Sequence, residues 1–339
     1  MGTPTSGPIR ASDIIQEFGA NTGSKASMQS YRVSQTVGAL SNLPLDTGIP
    51  QSGSIRFSDF HDKKLNVIVN YHSSNETRPS KGRTKYDNAG GSNITVIGGF
   101  RGRPGESSGI KVRMHVNKTI SGGTGSNDCA LRTGTWDSET DLQIDIGSSG
   151  KVYGAGGNGG AGGDHSGPGS DGQNGTHAIG IEYGTTSEET VVNVMSGGLI
   201  ACGFGGGGGG SGDHQDDKGE ERHANGGGGG GGAGSPAGSG GDQGEGGAGG
   251  SDGSNGSHDH GGDGGNGGNN DNQAYGGTGG NGGGAGGGPG DGQNRDSDGG
   301  EAGSNGAAIR GSEGINADDV HVINNGTIRG GYVWNSEVS

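Results

Sequence analysis

Apolar residues in this chain come in short alternating bursts rather than helical stripes, and the bursts return at fixed spacing. Ile144 and Ile146 are followed by Gly150 and Val152, Val192 and Val194 by Gly198 and Ile200, and Val320 and Val322 by Gly326 and Ile328. Each copy reads as a strand with alternate residues turned inward, a glycine turn and a second strand. A short apolar partner precedes each copy: Ala130-Leu131, Ala178-Ile179 and Ala308-Ile309, the last two following Asn174-Gly175 and Asn305-Gly306. Units that bury an apolar face only against their neighbours predict three stacked rungs of a β-solenoid or prism over 126–202 and 303–339. Met114, Val116 and Ile120 read as a degenerate further rung. Upstream, Leu65–Tyr71, Asn93–Ile97 and Lys111–Ile120 read as strands, the last with Val112, Met114 and Val116 on one face, and predict a small antiparallel β domain over 63–125.

The first 62 residues hold a duplicated phrase. Ser6-Gly7-Pro8-Ile9-Arg10-Ala11-Ser12-Asp13-Ile14 returns as Ser52-Gly53-Ser54-Ile55-Arg56-Phe57-Ser58-Asp59-Phe60. Each copy leads from an extended Ile-Arg into a serine suited to an N-cap, with aspartate in the first turn. Ile14, Ile15 and Phe18 mark an apolar helical face and Gly19 its stop. These pieces have little to bury among themselves and are expected to be docking segments.

Between the second and third repeats the pattern changes to a three-residue beat. From Gly246 to Gly284, Gly-Gly-X triplets keep their phase across every interruption, including His258-Asp259-His260. A polyproline II conformation has three residues per turn and about 3.1 Å rise, so each triplet position would occupy its own face. Gly-Gly-X then presents two bare faces, where backbone groups of adjacent helices can pair, and one face decorated with Asp, Asn, Ser or Thr. The all-glycine runs Gly205–Gly210 and Gly226–Gly232 have no decorated face and are expected at the centre of a bundle. The insertions 154–175 and 203–306 thus read as polyglycine II helices anchored on the repeat rungs. A flexible linker is the competing reading, since such composition is usual for disorder. Preserved register argues for order, while 9 prolines beside 90 glycines are too few for a collagen helix.

Composition agrees with a thin core: hydrophobic residues are 24% of the chain, concentrated in 63–153, 178–202 and 307–334. The expected fold is therefore mainly β: N-terminal docking segments, a small antiparallel β domain, and a three-rung β-solenoid or prism-like repeat bearing polyglycine II helices. The net charge of −15 is uneven, because 203–304 carries fifteen Asp and Glu against Lys218, Arg222 and Arg295. Such a surface repels nucleic acid and anionic membrane and favours solubility. Cys129 and Cys202 are too few for a disulfide framework and are expected to be buried thiols. With no signal-peptide core and no membrane-length apolar run, the chain is expected to be a soluble product without membrane insertion.

The phrases Ser-Gly-Pro-Ile-Arg-Ala-Ser-Asp-Ile-Ile-Gln-Glu-Phe-Gly and Ser-Gly-Ser-Ile-Arg-Phe-Ser-Asp-Phe resemble N-terminal segments of virion structural proteins in tailed phages, particularly T4-like phages of marine bacteria and cyanobacteria. Val96-Ile97-Gly98-Gly99-Phe100-Arg101-Gly102-Arg103-Pro104, Leu131-Arg132-Thr133-Gly134-Thr135-Trp136 and the rung motif running into glycine resemble a glycine-rich fibre-like family of those phages. The glycine tract separately resembles the tip adhesins of T-even long tail fibres, whose polyglycine II helices present receptor-binding loops. The resemblance implies a tail fibre or fibre-tip adhesin, with residues 1–62 contacting other tail or fibre proteins. Its loops would contact a host-surface glycan or outer-membrane protein, and a homotrimer is compatible with it. The alternative is a baseplate, collar or decoration protein that uses the glycine bundle as a spacer or assembly contact.

Side chains reappear in the loops between the glycine helices, and loops on a rigid scaffold are where binding residues concentrate. The candidates are His214, Gln215, Asp216 and Asp217, then His258, Asp259 and His260, then Asn270, Asp271, Asn272 and Tyr275, and finally Gln293, Asn294 and Arg295. Tyr275, beside amides and acids, suits stacking on a sugar. His258-Asp259-His260 has the His-X-His form with which resembling phage fibres cage a metal on a threefold axis, but no neighbouring ligand accompanies it, and no metal or cofactor is expected. Calcium β-roll repeats fail for want of their apolar residue. Nucleophile elbow, P-loop and zinc spacings are absent, and acids among glycines are solvated, so no enzymatic activity is expected.

Overall fold

Alternation decides which face of each strand is covered, and the fixed repeat spacing decides which strands lie side by side. A computed structural model describes residues 3–18, 28, 49–50, 52–63, 66–71, 76–78, 94–97, 111–125, 128–133, 141–182, 189–217, 220–270 and 274–335. The fold is mainly β with almost no helix. Helix α1 (Ala11–Phe18) precedes β1 (Asn66–Tyr71), β2 (Glu76–Arg78) and β3 (Ile94–Ile97). The chain then circles three sheets: β4 (Lys111–Val116), β5 (Thr119–Gly122) and β6 (Cys129–Arg132) are followed by β7 (Asp141–Ile146), β8 (Lys151–Tyr153) and β9 (His177–Ile181). The next circuit is β10 (Thr190–Val194) and β11 (Leu199–Ala201), interrupted by β12 (Asp213–Asp217), β13 (Glu220–Ala224), β14 (Asn269–Asn270) and β15 (Ala274–Tyr275), and completed by β16 (Ala307–Gly311). The last is β17 (Val320–Asn324), β18 (Thr327–Arg329) and β19 (Gly331–Val333).

The three sheets have the orders β17-β10-β7-β4-β1-β3, β18-β11-β8-β5-β2 and β19-β16-β9-β6. Equivalent repeat positions are direct neighbours: Val192 lies beside both Ile144 and Val322, and Ile200 beside both Val152 and Ile328. Met114 and Ile120 continue the same rows beside Ile144 and Val152. Leu131, Ile179 and Ile309 form the third row. The inward residues of these rows, with Leu142, Ile146 and Val194, make one buried core. Each corner glycine is required by this stacking, because a Cβ on Gly150 would strike the Val116 carbonyl and one on Gly198 the Ile146 carbonyl.

The expected antiparallel domain over 63–125 is corrected by the pairing. Among the described residues of this span only β1 with β3 is antiparallel; β1 with β4, β2 with β5, β4 with β7 and β5 with β8 are parallel and belong to the same sheets as the repeats. Alternation specifies which residues face inward but not the direction of the partner strand. The other strand runs proposed upstream, at 65 and 93, begin outside the described residues.

The duplicated N-terminal phrase folds into a duplicated device, though the expected serine caps do not form it. The Asp13 carboxylate accepts from the Arg10 backbone N–H at 2.8 Å, and Asp59 accepts from that of Arg56 at 2.7 Å. The turns therefore start at Ala11 and Phe57, with the acid three residues beyond the cap serving the free amide. Asn316 and Asp319 repeat the device at 2.8 Å. Ile14 and Phe60 enter the same core as Met114 and Leu142, so apolar residues of the phrase belong to the core of the wound sheets. Phe57 stays 41% exposed, leaving part of this face open.

Several polar side chains at strand rows meet one another. Arg132 bonds Glu182 at 2.9 Å, both buried. Burial pushes the Asp145 carboxyl up, but His115, at 3.1 Å, together with bonds from Gln143 and Asn193, holds it below its ordinary value. His177 Nδ1 accepts from the Ala307 N–H at 2.8 Å, while an Arg310 guanidinium nitrogen lies 2.6 Å from Nε2. A protonated ring could not accept from Ala307; burial and the Arg310 and Arg132 charges lower its pKa to about 4. Cys129 and Cys202 are unpaired and buried, and burial pushes both thiols up to about 12. Among the described residues no helix is long and apolar enough to cross a membrane.

Candidate functional site

The glycine insertions leave the wound sheets after β8 and β11 as runs that alternate in direction: 154–163, 167–176, 203–212, 225–234, 238–244, 248–257, 261–268, 276–283, 289–293 and 299–306. Their hydrogen bonds repeat every third residue. Gly157, Gly160 and Gly163 donate to Phe204, Gly207 and Gly210, whereas Gly156, Gly159 and Gly162 donate to Pro236, Ser239 and Asp242. The carbonyls of Ala155, Asn158 and Ala161 accept from Thr176, Gln173 and Ser170. Successive residues of one run thus address three different neighbours. The run 203–212 bonds to 154–163, 167–176, 225–234, 276–283, 289–293 and 299–306, and 225–234 is surrounded in the same way. These two contain the all-glycine stretches, and every residue of Gly203–Gly212 and Asn225–Gly234 is buried.

The decorated positions do more than face water. At the bundle surface an outward amide has no further run to donate to, and a neighbouring Asn, Asp or Ser supplies the acceptor. Asn158 Oδ1 accepts from Ser239 N–H at 2.9 Å, Asn255 Oδ1 from Gly240 at 2.9 Å, and Asn281 Oδ1 from Gly264 at 2.8 Å. Asp171, Asn174, Asp252 and Asp291 serve Glu301, Ser304, Gln243 and Ala302 in the same manner. This is why the third triplet position is so often a short side chain with an oxygen on its γ-carbon or Cβ.

Alternating direction sorts the loops between two ends. Described residues 164–166, 213–217, 220–224, 245–247, 269–270, 274–275 and 294–298 share the end away from the wound sheets. They are bonded into one surface: His214 N–H donates to Asp296 at 2.6 Å, Tyr275 N–H to Asp213 at 2.6 Å, Arg295 N–H to Ser211 at 2.7 Å, and Asn270 Nδ2 to the His223 carbonyl at 3.3 Å. Glu245 N–H donates to Asp164. Tyr275 is 40% exposed on this surface, and Gln215, Asp216, Asn294 and Arg295 are exposed beside it.

The structure therefore brings His214, Gln215, Asp216, Asn270, Tyr275, Gln293, Asn294 and Arg295 to one end. Asp217 belongs to β12, while Asp271 and Asn272 lie outside the described residues. His258, Asp259 and His260 are not with them: they turn at the opposite end, where Asp259 pairs with Arg329 of β18 and the His258 ring meets that of Tyr153 at 5.4 Å. Counting turns would have separated them, since direction reverses at each one.

One grouping at the tip has no short sequence signature. β12 and β13 form an antiparallel hairpin that sets His214 opposite His223 and Asp216 opposite Glu221. The His214 and His223 rings stack with centroids 4.6 Å apart and planes 16° apart, and His165 meets His223 edge-on at 4.5 Å. Candidate ligand atoms of His214, Glu221 and His223 all lie within 4.8 Å of one another.

The chain is thus a mainly β protein whose sheets carry side-chain-poor glycine runs ending in a hydrogen-bonded set of polar loops. The family model of the phage tail fibre adhesin Gp38 matches residues 74–333, and the chain belongs to that family. It is a virion protein of the phage tail fibre that acts in receptor binding. No curated protein and no solved structure matches the chain.

Proposed function

We propose that the fused end of the glycine bundle is the receptor-contacting surface of this adhesin, with a host-surface glycan or outer-membrane protein as its target. In this reading the wound sheets are a β-solenoid, the glycine runs are polyglycine II helices, and residues 1–62 attach the chain to another tail protein. The homotrimer and T4-like parentage suggested by the sequence belong to the same proposal, which involves no enzymatic step. The observation that carries it is the convergence of five turns on one end, where Tyr275, Gln215, Asp216 and Arg295 are exposed while the runs behind them bury their backbones in one another. Carboxylates, amides and one exposed ring suit hydrogen bonding to sugar hydroxyls with stacking on a sugar face.

Phage carrying Tyr275→Ala with Arg295→Ala should adsorb at least tenfold more slowly, whereas phage carrying His260→Ala, at the base end, should adsorb normally. Normal adsorption of the tip variant, with the protein present in the virion, would overturn the assignment of the surface. A collar or baseplate spacer would give that result.

A further inference from the structure

We propose that His214, Glu221 and His223 bind a divalent transition cation of the zinc type on one face of the tip hairpin. The argument begins with strand geometry. Residues two apart on a strand share a face, and directly opposed residues share it too. The register His214↔His223 and Asp216↔Glu221 therefore puts two imidazoles and two carboxylates on one side of a two-stranded ribbon. Opposed carboxylates repel, and the hairpin's Arg222 offers no relief there, because it alternates to the other face and pairs with Glu220 at 3.0 Å. A face with this composition is short of a cation.

The rings themselves are the second observation. His214 Nε2 is buried and has no hydrogen-bond partner, although buried polar atoms in folded proteins ordinarily have one. His223 Nε2 points toward Glu221 Oε2 at 3.8 Å, too far for a hydrogen bond but suited to a shared third atom. Zinc bonds nitrogen and carboxylate oxygen at about 2.0–2.2 Å, so its ligand atoms sit about 3.4 Å apart. The ligand atoms of the three groups lie within 4.8 Å of one another, so an ion must draw them in by about 1 Å and turn the stacked rings out of parallel. The His223 ring is already constrained, because His165 packs edge-on against it and is held in turn by Gly246, where a Cβ would meet the His165 ring. Gly246 has φ +87°, a conformation that favours glycine.

Ligand chemistry selects the ion. Magnesium and calcium seek six or more oxygen ligands, whereas two imidazoles and one carboxylate suit zinc, nickel or copper and leave a fourth position for water or a ligand group. Glu221 is exposed, so that position opens toward solvent at the tip. The site tethers β12 to β13 independently of which loop contacts the receptor.

The test is zinc titration of the purified, chelator-treated full chain by calorimetry, with cobalt substitution read by visible absorption. Wild type should bind one zinc per chain at the tip and develop the strong cobalt bands of a four-coordinate site. His214→Ala and His223→Ala should each weaken binding at least a hundredfold, and Glu221→Gln, on an exposed side chain that the fold does not need, at least tenfold. His258→Ala with His260→Ala should retain the site. Wild-type protein without cobalt bands, or zinc affinity unchanged in Glu221→Gln and both histidine variants, would overturn the proposal.

Discussion

Replacing Gly229 by alanine tests the bundle at its centre. A Cβ at Gly229 would lie 2.0 Å from the Gly207 carbonyl oxygen and 2.6 Å from its carbon, whereas ordinary contact begins at 3.4 Å. Backbone cannot swing aside as a side-chain end can, so the runs 225–234 and 203–212 must separate by about 1.4 Å, the gap between those distances. Between these two runs Gly207 N–H donates to Gly230 at 2.8 Å and Gly210 N–H to Gly227 at 2.9 Å, and a displacement of that size breaks bonds of this length. Overpacking costs about 1–3 kcal/mol, and each buried group left unpaired costs about 1–3 kcal/mol more. The sum is at least about 3 kcal/mol, or a melting transition lowered by about 10 °C in a unit of this size. Gly249 is the control: nothing lies within 4 Å of its Cβ position, so Gly249→Ala should be neutral or stabilising by about 0.5 kcal/mol through the unfolded state. Calorimetric melting and thermolysin digestion of the two variants read the difference. Equal melting temperatures and equal digestion rates would refute the hydrogen-bonded bundle and return the tract to a flexible linker.

Removing the amide-capping oxygens together, in Asn158→Ala, Asn255→Ala and Asn281→Ala, should destabilise the bundle by about 1 kcal/mol per site, since each forfeits one hydrogen bond. Aspartate at the same positions keeps the acceptor and should restore most of the melting temperature. Acidification provides a further check at His177. Its pKa is lowered on folding from 6.5 to about 4, so its contribution is fully present above pH 6.5 and is lost as pH falls toward 4. Up to about 3 kcal/mol is involved, and His177→Gln should flatten the melting-temperature profile in that window; an unchanged slope would refute the role given to this ring.

Much of the architecture could be read from spacing because spacing is what neighbouring strands share. Ile144, Val192 and Val322 stand in one row because parallel rungs of equal length align equivalent residues. The triplet beat was legible for the same reason, since a three-residue hydrogen-bond period leaves a three-residue mark. Pairing direction left no mark, so β1 and β4 looked like parts of a separate antiparallel domain. Ser12 and Ser58 fit a cap by propensity, but the Asp13 and Asp59 side chains reach back three residues to the free Arg10 and Arg56 amides. The decorated face read as solvated ornament, whereas Ser251, for example, accepts from the Asn266 N–H at 2.8 Å. Within the tip, the histidine grouping depends on the register of one hairpin and on a third ring from residue 165, nearly fifty positions earlier, and no local spacing encodes that.

The three-residue hydrogen-bond cycle gives the tract a quantum of length. One residue added inside a run turns every later residue by a third of a revolution, directing side chains at backbones that tolerate none. Three residues added to each outward run and to its returning neighbour restore every pairing and move the tip outward by about 9 Å. Turns at the two ends obey no such rule, because nothing beyond them must stay in phase. Length changes among related chains should therefore be free in the turns and confined to multiples of three in the runs, so that the turns can be rebuilt while the runs beneath them grow only in whole steps.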